Sequence, residues 1–207
     1  MPDRHSALAP ALRPGTFGAT PDGGPGVTLA ERRGLAHVHL AGRPTGVRFL
    51  DAARSALALG LPTEPNTVAR SDRFTVFWLA PTRWLVESAS LPAPDLESRL
   101  RGRIAGLGAV TPATGGRTVV RLAGPAARRL LAKGVPLDLH PSAFPPGTCA
   151  QTALAGAAVL LHALLPDGAA FDLYLPRSYA LHLFEWLEDA APEFGCRIDA
   201  PEEEARA

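Results

Sequence analysis

The sequence predicts an α+β protein, built from pseudo-duplicated antiparallel sheets with helices packed on them. Three observations lead to this fold class. Short apolar segments with the composition of strands occur in pairs, and single amphipathic segments with the period of a helix lie between the pairs. This order occurs twice along the chain. Hydrophobic residues make up 46% of the 207 residues, which is enough for a substantial core. Because the strands come in pairs, a doubly wound nucleotide-binding fold is not expected.

The two ends of the chain differ in composition from the part between them. Residues 1–26 are rich in Pro, Gly and Ala without a sustained period, which predicts a flexible N-terminal arm that becomes partly ordered only on a partner. Residues 198–207 predict an acidic, solvated tail. Residues 27–197 are expected to form a single α+β domain of two similar halves, about 27–108 and 109–197.

The first half begins with an apolar strand at residues 35–40. A helix follows at residues 47–59, with Gly60 as its C-terminal stop. The segments FTVFWLA and RWLVES flank Pro81 and predict a hairpin. Residues 94–107 predict the next helix, which contains an i,i+4 pair of Glu97 and Arg101 and ends at Gly108.

The second half repeats this order. Two strands at residues 109–111 and 118–122 flank a Thr-Gly-Gly turn, and residues 124–134 predict a helix that ends at Gly134. Arg128, Arg129 and Lys133 are placed to meet the negative end of that helix. After a Pro-rich loop, three strands are expected at residues 151–154, 158–164 and 170–175, with a turn at Asp167-Gly168 between the last two. The final helix is expected at residues 178–191.

Composition and charge exclude several classes of function. The 21 basic and 20 acidic residues leave a net charge of +1, so there is no footprint for nucleic acid or an anionic membrane. No segment approaches the roughly 18 consecutive apolar residues that a membrane helix needs. No secretory segment accompanies the two cysteines. We therefore expect a cytoplasmic protein with reduced thiols and with neither nucleic acid nor membrane as a partner.

No complete catalytic motif is present. The sequence lacks GxSxG, GxxxxGK[ST] and HExxH. His37 and His39 alternate along one strand, so both imidazoles point to the same face, where they could share an ion. Because spacing signals no third ligand, a half-exposed strand face is the favoured interpretation, and no metal, cofactor or catalytic residue is predicted.

Two other residues with reactive side chains have structural interpretations. Asp138 precedes His140 in LDLHPSAFPPG and could orient its imidazole for general-base work. In a loop rich in Pro, an Asp-x-His pair more often caps a turn, and this role is favoured. Cys149 follows an apolar approach, which predicts burial as a small hydrophobe.

The final helix has an unusually wide apolar face. Tyr179 and Trp186 extend it and His182 flanks it, beyond the roughly 100° that a core-facing stripe needs. The rings could fill the core, or their edge could contact another protein, since Trp and Tyr are favoured interface anchors. Tyr179, His182 and Trp186 are therefore the candidate partner interface.

Three segments together resemble one known family. They are GGRTVVRLAGPAARRLLAKGVPLDLHPSAFPPGTCAQT (115–152), AFDLYLPRSYALHLFEWLEDAA (170–191) and SDRFTVFWLAPTRWLVES (71–88). With the rest of residues 30–191, they resemble the gamma subunit of heterotetrameric sarcosine oxidase, and LDLHPSAFPPGTCAQT is the most distinctive part. The GPAARRLL element also resembles the wider aminomethyltransferase group, which implies a folate-binding-domain-like fold of two swapped halves.

The resemblance implies a role inside a larger oxidoreductase. Such a complex oxidatively demethylates sarcosine to glycine and passes the one-carbon unit to tetrahydrofolate, while O2 becomes H2O2. It implies alpha, beta and delta subunits as partners, with the main contact on alpha. FAD, FMN, NAD and tetrahydrofolate are expected on the larger subunits and zinc on delta, so this chain is expected to bind none of them.

Three alternatives stay open at this stage, and one of them is an independent metal enzyme built on His37 and His39. The chain could be the equivalent subunit of a related N-methyl amino-acid dehydrogenase, such as one acting on N-methylglutamate. It could also be a free-standing folate-binding protein, for which Asp138 is the nearest candidate to hold the pterin ring.

Overall fold

The structure of the chain, a computed structural model, describes residues 5–18, 23–45, 47–164, 166 and 169–203. The strands are β1 (Gly15–Phe17), β2 (Val27–Arg33), β3 (Ala36–Gly42), β4 (Val68–Arg70), β5 (Thr75–Ala80), β6 (Arg83–Ser88), β7 (Gly108–Pro112), β8 (Arg117–Ala123), β9 (Cys149–Leu154), β10 (Ala157–Ala163), β11 (Ala170–Pro176), β12 (Cys196–Ile198) and β13 (Glu202–Glu203). The helices are α1 (Val47–Leu57), α2 (Ala93–Ile104), α3 (Ala127–Leu131) and α4 (Ala180–Ala190), with 3₁₀ turns at Arg177–Tyr179 and Pro192–Phe194.

The chain divides into two compact units. The first comprises Met1–Arg33 and Gly116–Glu202, and the second comprises Gly34–Gly115 and Glu203–Ala207. The first unit is built on a sheet in the order β1-β12-β2-β8-β11-β10-β9, with β13 as its eighth strand. The second unit is built on a five-stranded sheet in the order β4-β5-β6-β3-β7. These two mixed sheet-and-helix units confirm the predicted fold class.

The internal duplication predicted from the sequence is present in the element order. The succession β-β-α-β-β-β-α runs from β2 to α2 and again from β7 to α4. The two sheets also share one strand order, since β9-β10-β11-β8-β2 in the first corresponds to β4-β5-β6-β3-β7 in the second. The first strand of each half therefore joins the sheet of the other half. Strand β2 pairs with β8 in one sheet, and β7 pairs with β3 in the other.

This exchange corrects the predicted domain boundaries. A division into residues 27–108 and 109–197 assigns β2 and β7 to the wrong sheets, and the two compact units replace the single domain. Sequence pattern shows that a segment is extended, but it does not show which sheet it joins. The partner of β2 is fixed by a register in which Leu29 lies opposite Leu122 and both side chains enter one core.

Each sheet packs its helices on one face. In the first unit, alternate residues of the strands meet α3 and α4 in a core that includes Leu29, Val120, Leu173 and Phe184. In the second unit, α1 and α2 pack on a core around Val38, Trp84 and Leu100. Phe49 of α1 lies against the Trp84 ring, with centroids 5.6 Å apart. Burial of such side chains at about 25 cal/mol per Å² is what holds each sheet to its helices.

The predicted helix stops are wrong in detail. The helix α1 ends at Leu57, and the residue after it, Ala58, has φ 50°. The helix α2 ends at Ile104, and Gly106, not Gly108, has the left-handed conformation at φ 74°. The i,i+4 pair of α2 is confirmed, with Arg101 Nε 2.7 Å from a Glu97 carboxylate oxygen.

The N-terminal segment is part of the first unit, which corrects the prediction of an arm for its described residues. Leu8 is fully buried in the core with β2 and α4. The Ser6 hydroxyl donates a hydrogen bond to Glu31, and Arg177 donates one to the His5 carbonyl oxygen. Strand β1 pairs with β12 at the sheet edge. The apolar residues of this segment therefore gain burial within their own chain.

Two further predictions concern the C-terminal tail and the turn between β10 and β11. Ile198, assigned to the acidic tail, is buried in β12, and Glu202 belongs to β13. Strands β10 and β11 do pair as an antiparallel hairpin. The predicted turn at Asp167-Gly168 lies outside the described residues.

Candidate functional site

The candidate interface lies on α4 and the turn before it. Helix α4 buries Ala180, Leu183, Phe184 and Leu187 against the core of the first unit, as its predicted apolar stripe requires. Tyr179 precedes the helix and is 54% exposed, one of three large apolar side chains exposed in the described chain. His182 is also exposed. Tyr179 and His182 therefore stand on the surface, one turn apart.

Trp186 has a different environment from these two residues. It is half-buried and packs against the core of the first unit. A Cβ added to Gly134 would lie 2.6 Å from the Trp186 ring, so the indole covers a glycine backbone. Gly134 does not have positive φ, so it is not a left-handed residue that ends α3. Its lack of a side chain instead makes room for the Trp186 ring. Trp186 thus contributes to the core on one side and to the surface edge of α4 on the other.

The charged residues of α4 are all acidic. Glu185, Glu188 and Asp189 are its ionisable residues besides His182, and it carries no Lys or Arg. Partial burial raises the pKa of Glu188, and Asp189 and Glu185 raise it further, while Arg13 acts in the opposite direction. Glu188 in turn adds to the effect of burial on Cys196, which raises the pKa of that thiol to about 11. The C-terminal end of α4 is therefore a site of concentrated negative charge.

The Lys133 ammonium contacts the C-terminal end of α4, although Lys133 follows α3 in the chain. Its ammonium donates a hydrogen bond to the Ala190 carbonyl oxygen at 2.7 Å and lies 3.0 Å from a Glu193 carboxylate oxygen. Lys133 and Arg129 also stack over the Phe194 ring, at 4.9 and 4.8 Å from its centroid. The predicted role at the end of α3 is replaced by a stabilising contact with the negative end of α4.

Arg128 organises the distinctive Pro-rich loop. Its guanidinium donates hydrogen bonds to the carbonyl oxygens of Leu139 and Phe144, and it lies over the Phe171 ring at 5.1 Å. Desolvation by burial lowers the Arg128 pKa. Since Leu139 and Phe144 are buried at either side of residues 140–143, this one side chain fixes the base of an exposed turn.

The turn itself shows what Asp138 and His140 do. The Asp138 carboxylate accepts a hydrogen bond from the His140 backbone N–H at 2.8 Å, so Asp138 caps the turn and the favoured prediction is confirmed. The His140 Nδ1 lies 2.7 Å from the Ser142 hydroxyl oxygen and accepts from the Ser142 backbone N–H at 3.3 Å. Both side chains are exposed and engaged in local structure.

His37 has a carboxylate partner across the sheet of the second unit. Its Nε2 lies 3.0 Å from a Glu87 carboxylate oxygen, and His37 and Glu87 are 2% and 5% exposed. His39 is two residues along β3 and only partly buried. Within residues 5–18, 23–45, 47–164, 166 and 169–203, three or more His, Cys, Asp or Glu residues nowhere gather in a metal-binding group.

Sequence reasoning missed a buried ion cluster in the first unit. Asp172 of β11 is 1% exposed and accepts hydrogen bonds from Arg32 at 2.7 Å and from Arg121 at 2.9 and 3.0 Å. It lies on the sheet face opposite the core, because its neighbours Phe171 and Leu173 point into that core. The signal was a single Asp within the apolar run AFDLYL, since a buried carboxylate requires paired cations.

Both cysteines lie in the interior of the protein. Cys149 and Cys196 are both free and buried, so the predicted burial of Cys149 is confirmed. In the part of the chain that the structure describes, no helix has the length and apolar character needed to span a bilayer.

Comparison of structures defines the class of protein to which this fold belongs. The aminomethyltransferase T of the glycine cleavage system from Bartonella henselae matches with a TM-score of 0.61 over 94% of this chain and 57% of its own, at 16% identity. At this identity the likeness shows the fold alone. This chain thus shares the fold of the aminomethyltransferase T.

Closer relatives identify the family. Residues 42–193 match the family described as "Sarcosine oxidase, gamma subunit family". The sarcosine oxidase subunit gamma of Corynebacterium sp. strain P-1 is 38% identical over 148 residues, which cover 69% of this chain and 70% of the relative, and that of an Arthrobacter species is 37% identical over the same shares. A chain of the heterotetrameric sarcosine oxidase of Corynebacterium sp. U-96, solved with pyrrole 2-carboxylate, matches with a TM-score of 0.81 at 30% identity, over 92% of this chain and 96% of its own. The chain belongs to the sarcosine oxidase gamma subunit family.

Proposed function

We propose that this chain is the gamma subunit of a heterotetrameric sarcosine oxidase and acts in it as a mainly structural, non-catalytic subunit. The observation that carries the proposal is the match to one chain of such a complex over 92% of this chain and 96% of the other.

The chemistry of the described side chains supports a structural role. Asp138 caps a turn, Arg128 holds loop carbonyl groups, and Asp172 is neutralised by two arginines. These three side chains are thus already engaged in holding the fold. Reactive groups in an active site are instead directed at an open cleft.

The complex carries out the reaction as a whole. Sarcosine, tetrahydrofolate and O2 give glycine, 5,10-methylenetetrahydrofolate and H2O2: the N-methyl carbon loses two electrons to a flavin, and O2 takes them up with two protons. We assign FAD, FMN, NAD and tetrahydrofolate to the alpha and beta subunits and zinc to delta. The two free, buried thiols of this chain accord with a cytoplasmic complex.

The alpha subunit is the main partner in this proposal, and α4 supplies the contact. Tyr179 and His182 are exposed on one edge, and the outer edge of Trp186 continues it. An exposed tyrosine beside a half-buried tryptophan has the composition of an interface anchor.

Co-purification tests the assembly. The tagged chain is co-expressed with the large and small subunits encoded with it, and the purified material is analysed by mass spectrometry, flavin absorbance and peroxide formation from sarcosine. We expect stoichiometric large flavin-containing subunits and a zinc-containing small subunit. Activity with N-methylglutamate and none with sarcosine would show that the complex acts on a different substrate from the one proposed. Recovery of the chain alone, with tetrahydrofolate binding that is lost in Asp138→Ala, would overturn the structural role.

Single substitutions test the contact surface. Tyr179→Ala and His182→Ala are expected to weaken assembly by about tenfold or more if they are interface anchors. Val47→Ala is the control, because Val47 is an exposed apolar residue of the second unit, 71% exposed against 54% for Tyr179. Wild-type assembly by both α4 variants would remove this surface from the proposal.

A further inference from the structure

The outward face of α4 carries charge that the described residues of its own chain do not neutralise. Glu185 and Asp189 are four residues apart, so they stand one turn apart on the same face, and both are exposed. Like charges at this spacing oppose helix formation. Asp189 and Glu188 also lie in the last turn, where the helix dipole disfavours negative charge.

The other long helices of the described chain balance their charges. In α2 the Glu97 carboxylate pairs with Arg101 at 2.7 Å, and Arg103 and Arg99 reach across to Ser55 and Ala56. In α1 Asp51 lies between Arg48 and Arg54. Helix α4 is the exception, since its ionisable residues are three carboxylates and one histidine.

The nearby cations do not cancel this charge. Lys133 is held by the Ala190 carbonyl oxygen and by Glu193, a further carboxylate. Arg13 lowers the pKa of Glu188, yet burial, Asp189 and Glu185 together raise it. Tyr179 comes just before the same helix and is exposed, so an apolar anchor and a set of acceptors lie along one element.

We propose that the face of α4 bearing Tyr179, His182, Glu185 and Asp189 docks on a cationic, arginine- or lysine-bearing surface of the large partner subunit. This inference rests on the proposed function and names the chemistry of the partner surface. Complementary charge across an interface steers association and rejects wrong partners, and an arginine fork can bind both a carboxylate and the face of a tyrosine ring. The cost of holding like charges together in the free chain is then removed on docking.

The test is a competition for the native partners in vitro. Wild-type and variant chains with different tags are mixed in equal amounts with the purified other subunits at each salt concentration, and their ratio in the recovered complex is measured by mass spectrometry. For the double variant Glu185→Lys, Asp189→Lys we expect about a tenfold or greater deficit at 50 mM NaCl that narrows at 500 mM, because salt screens charge pairs at this range. The isosteric double variant Glu185→Gln, Asp189→Asn should show a smaller deficit in the same direction.

The control makes the same change of net charge elsewhere. Asp72→Lys with Glu64→Lys reverses two exposed carboxylates of the second unit, and it should compete equally with wild type. Glu185→Gln with Asp189→Asn removes the like-charge repulsion and should leave the thermal midpoint of the free chain equal to wild type or higher, so failure to fold does not explain its deficit. The thermal midpoint of Glu185→Lys with Asp189→Lys is measured alongside it. Equal incorporation of both α4 variants at low salt would overturn the inference while leaving the proposed function intact. Failure of wild type itself to recover the large subunits would overturn both.

Discussion

His37 and Glu87 face each other across adjacent antiparallel strands, and the imidazole Nε2 lies 3.0 Å from the carboxylate at a position where both side chains are almost fully buried. The pair shows that His37, a candidate metal ligand by sequence alternation, is engaged with a neighbouring strand. Loss of the contact between His37 and Glu87 should lower the free energy of unfolding.

Glu87→Ala should lower the free energy of unfolding by about 2–4 kcal/mol, because it removes a buried partner of His37. Urea unfolding followed by circular dichroism measures this. Glu97→Ala is the control: its partner Arg101 is exposed, and the expected loss is below about 0.5 kcal/mol. Equal losses for the two variants would contradict the structural role of the buried pair.

Gly134→Ala should destabilise the first unit by about 1–3 kcal/mol, since the new Cβ would meet the Trp186 ring at 2.6 Å. Gly102→Ala provides a matched control inside α2, where a Cβ meets no atom within 4 Å. That substitution should stabilise by up to about 1 kcal/mol through helix propensity. A neutral Gly134→Ala in thermal unfolding would show that the indole does not need this space.

Leu8→Ala should cost about 2–5 kcal/mol, because Leu8 is fully buried in the core of the first unit. The same measurement on Val47→Ala, which truncates an exposed side chain, should show a change within about 0.5 kcal/mol. A negligible effect of Leu8→Ala would restore the interpretation of residues 1–26 as an arm without contacts in the free chain.

Arg128→Ala should loosen the turn at residues 139–147, because the carbonyl oxygens of Leu139 and Phe144 lose their donor. Amide exchange followed by mass spectrometry should show faster exchange in peptides from this turn. Arg129→Ala is its neighbouring control, since Arg129 stacks on Phe194 and, among the residues that the structure describes, donates no hydrogen bond to the carbonyl groups of the turn. Unchanged exchange in Arg128→Ala would show that the prolines alone hold the turn.

Glu188→Gln should raise the thermal midpoint at pH 7 and have no effect well below pH 4. Burial, Asp189 and Glu185 raise the Glu188 pKa in the folded chain, so the folded state holds the proton more tightly than the unfolded state. Stability associated with Glu188 is therefore present below the unfolded pKa and is lost as pH rises through the folded pKa. Calorimetry between pH 4 and pH 8 measures the difference; a variant less stable than wild type at pH 7 would contradict it.

The strands and helices were predictable where local pattern decides them. FTVFWLA and RWLVES form β5 and β6 because aromatic and β-branched residues alternate there, and the Glu97–Arg101 pair follows from helical spacing. The helix stops were less predictable, because a glycine near a helix end can serve packing instead. Gly134 accommodates Trp186, and Ala58 takes the left-handed conformation expected of Gly60.

The sequence by itself determined the α+β class, the duplicated order of elements and the family resemblance, since all three depend on neighbouring residues. Only the tertiary structure decided that β2 and β7 exchange sheets, that Leu8 enters the core, and that Asp172 gathers Arg32 and Arg121. Each of these contacts joins segments that are far apart in the chain. The free energy that selects them comes from burial and charge pairing in the folded protein.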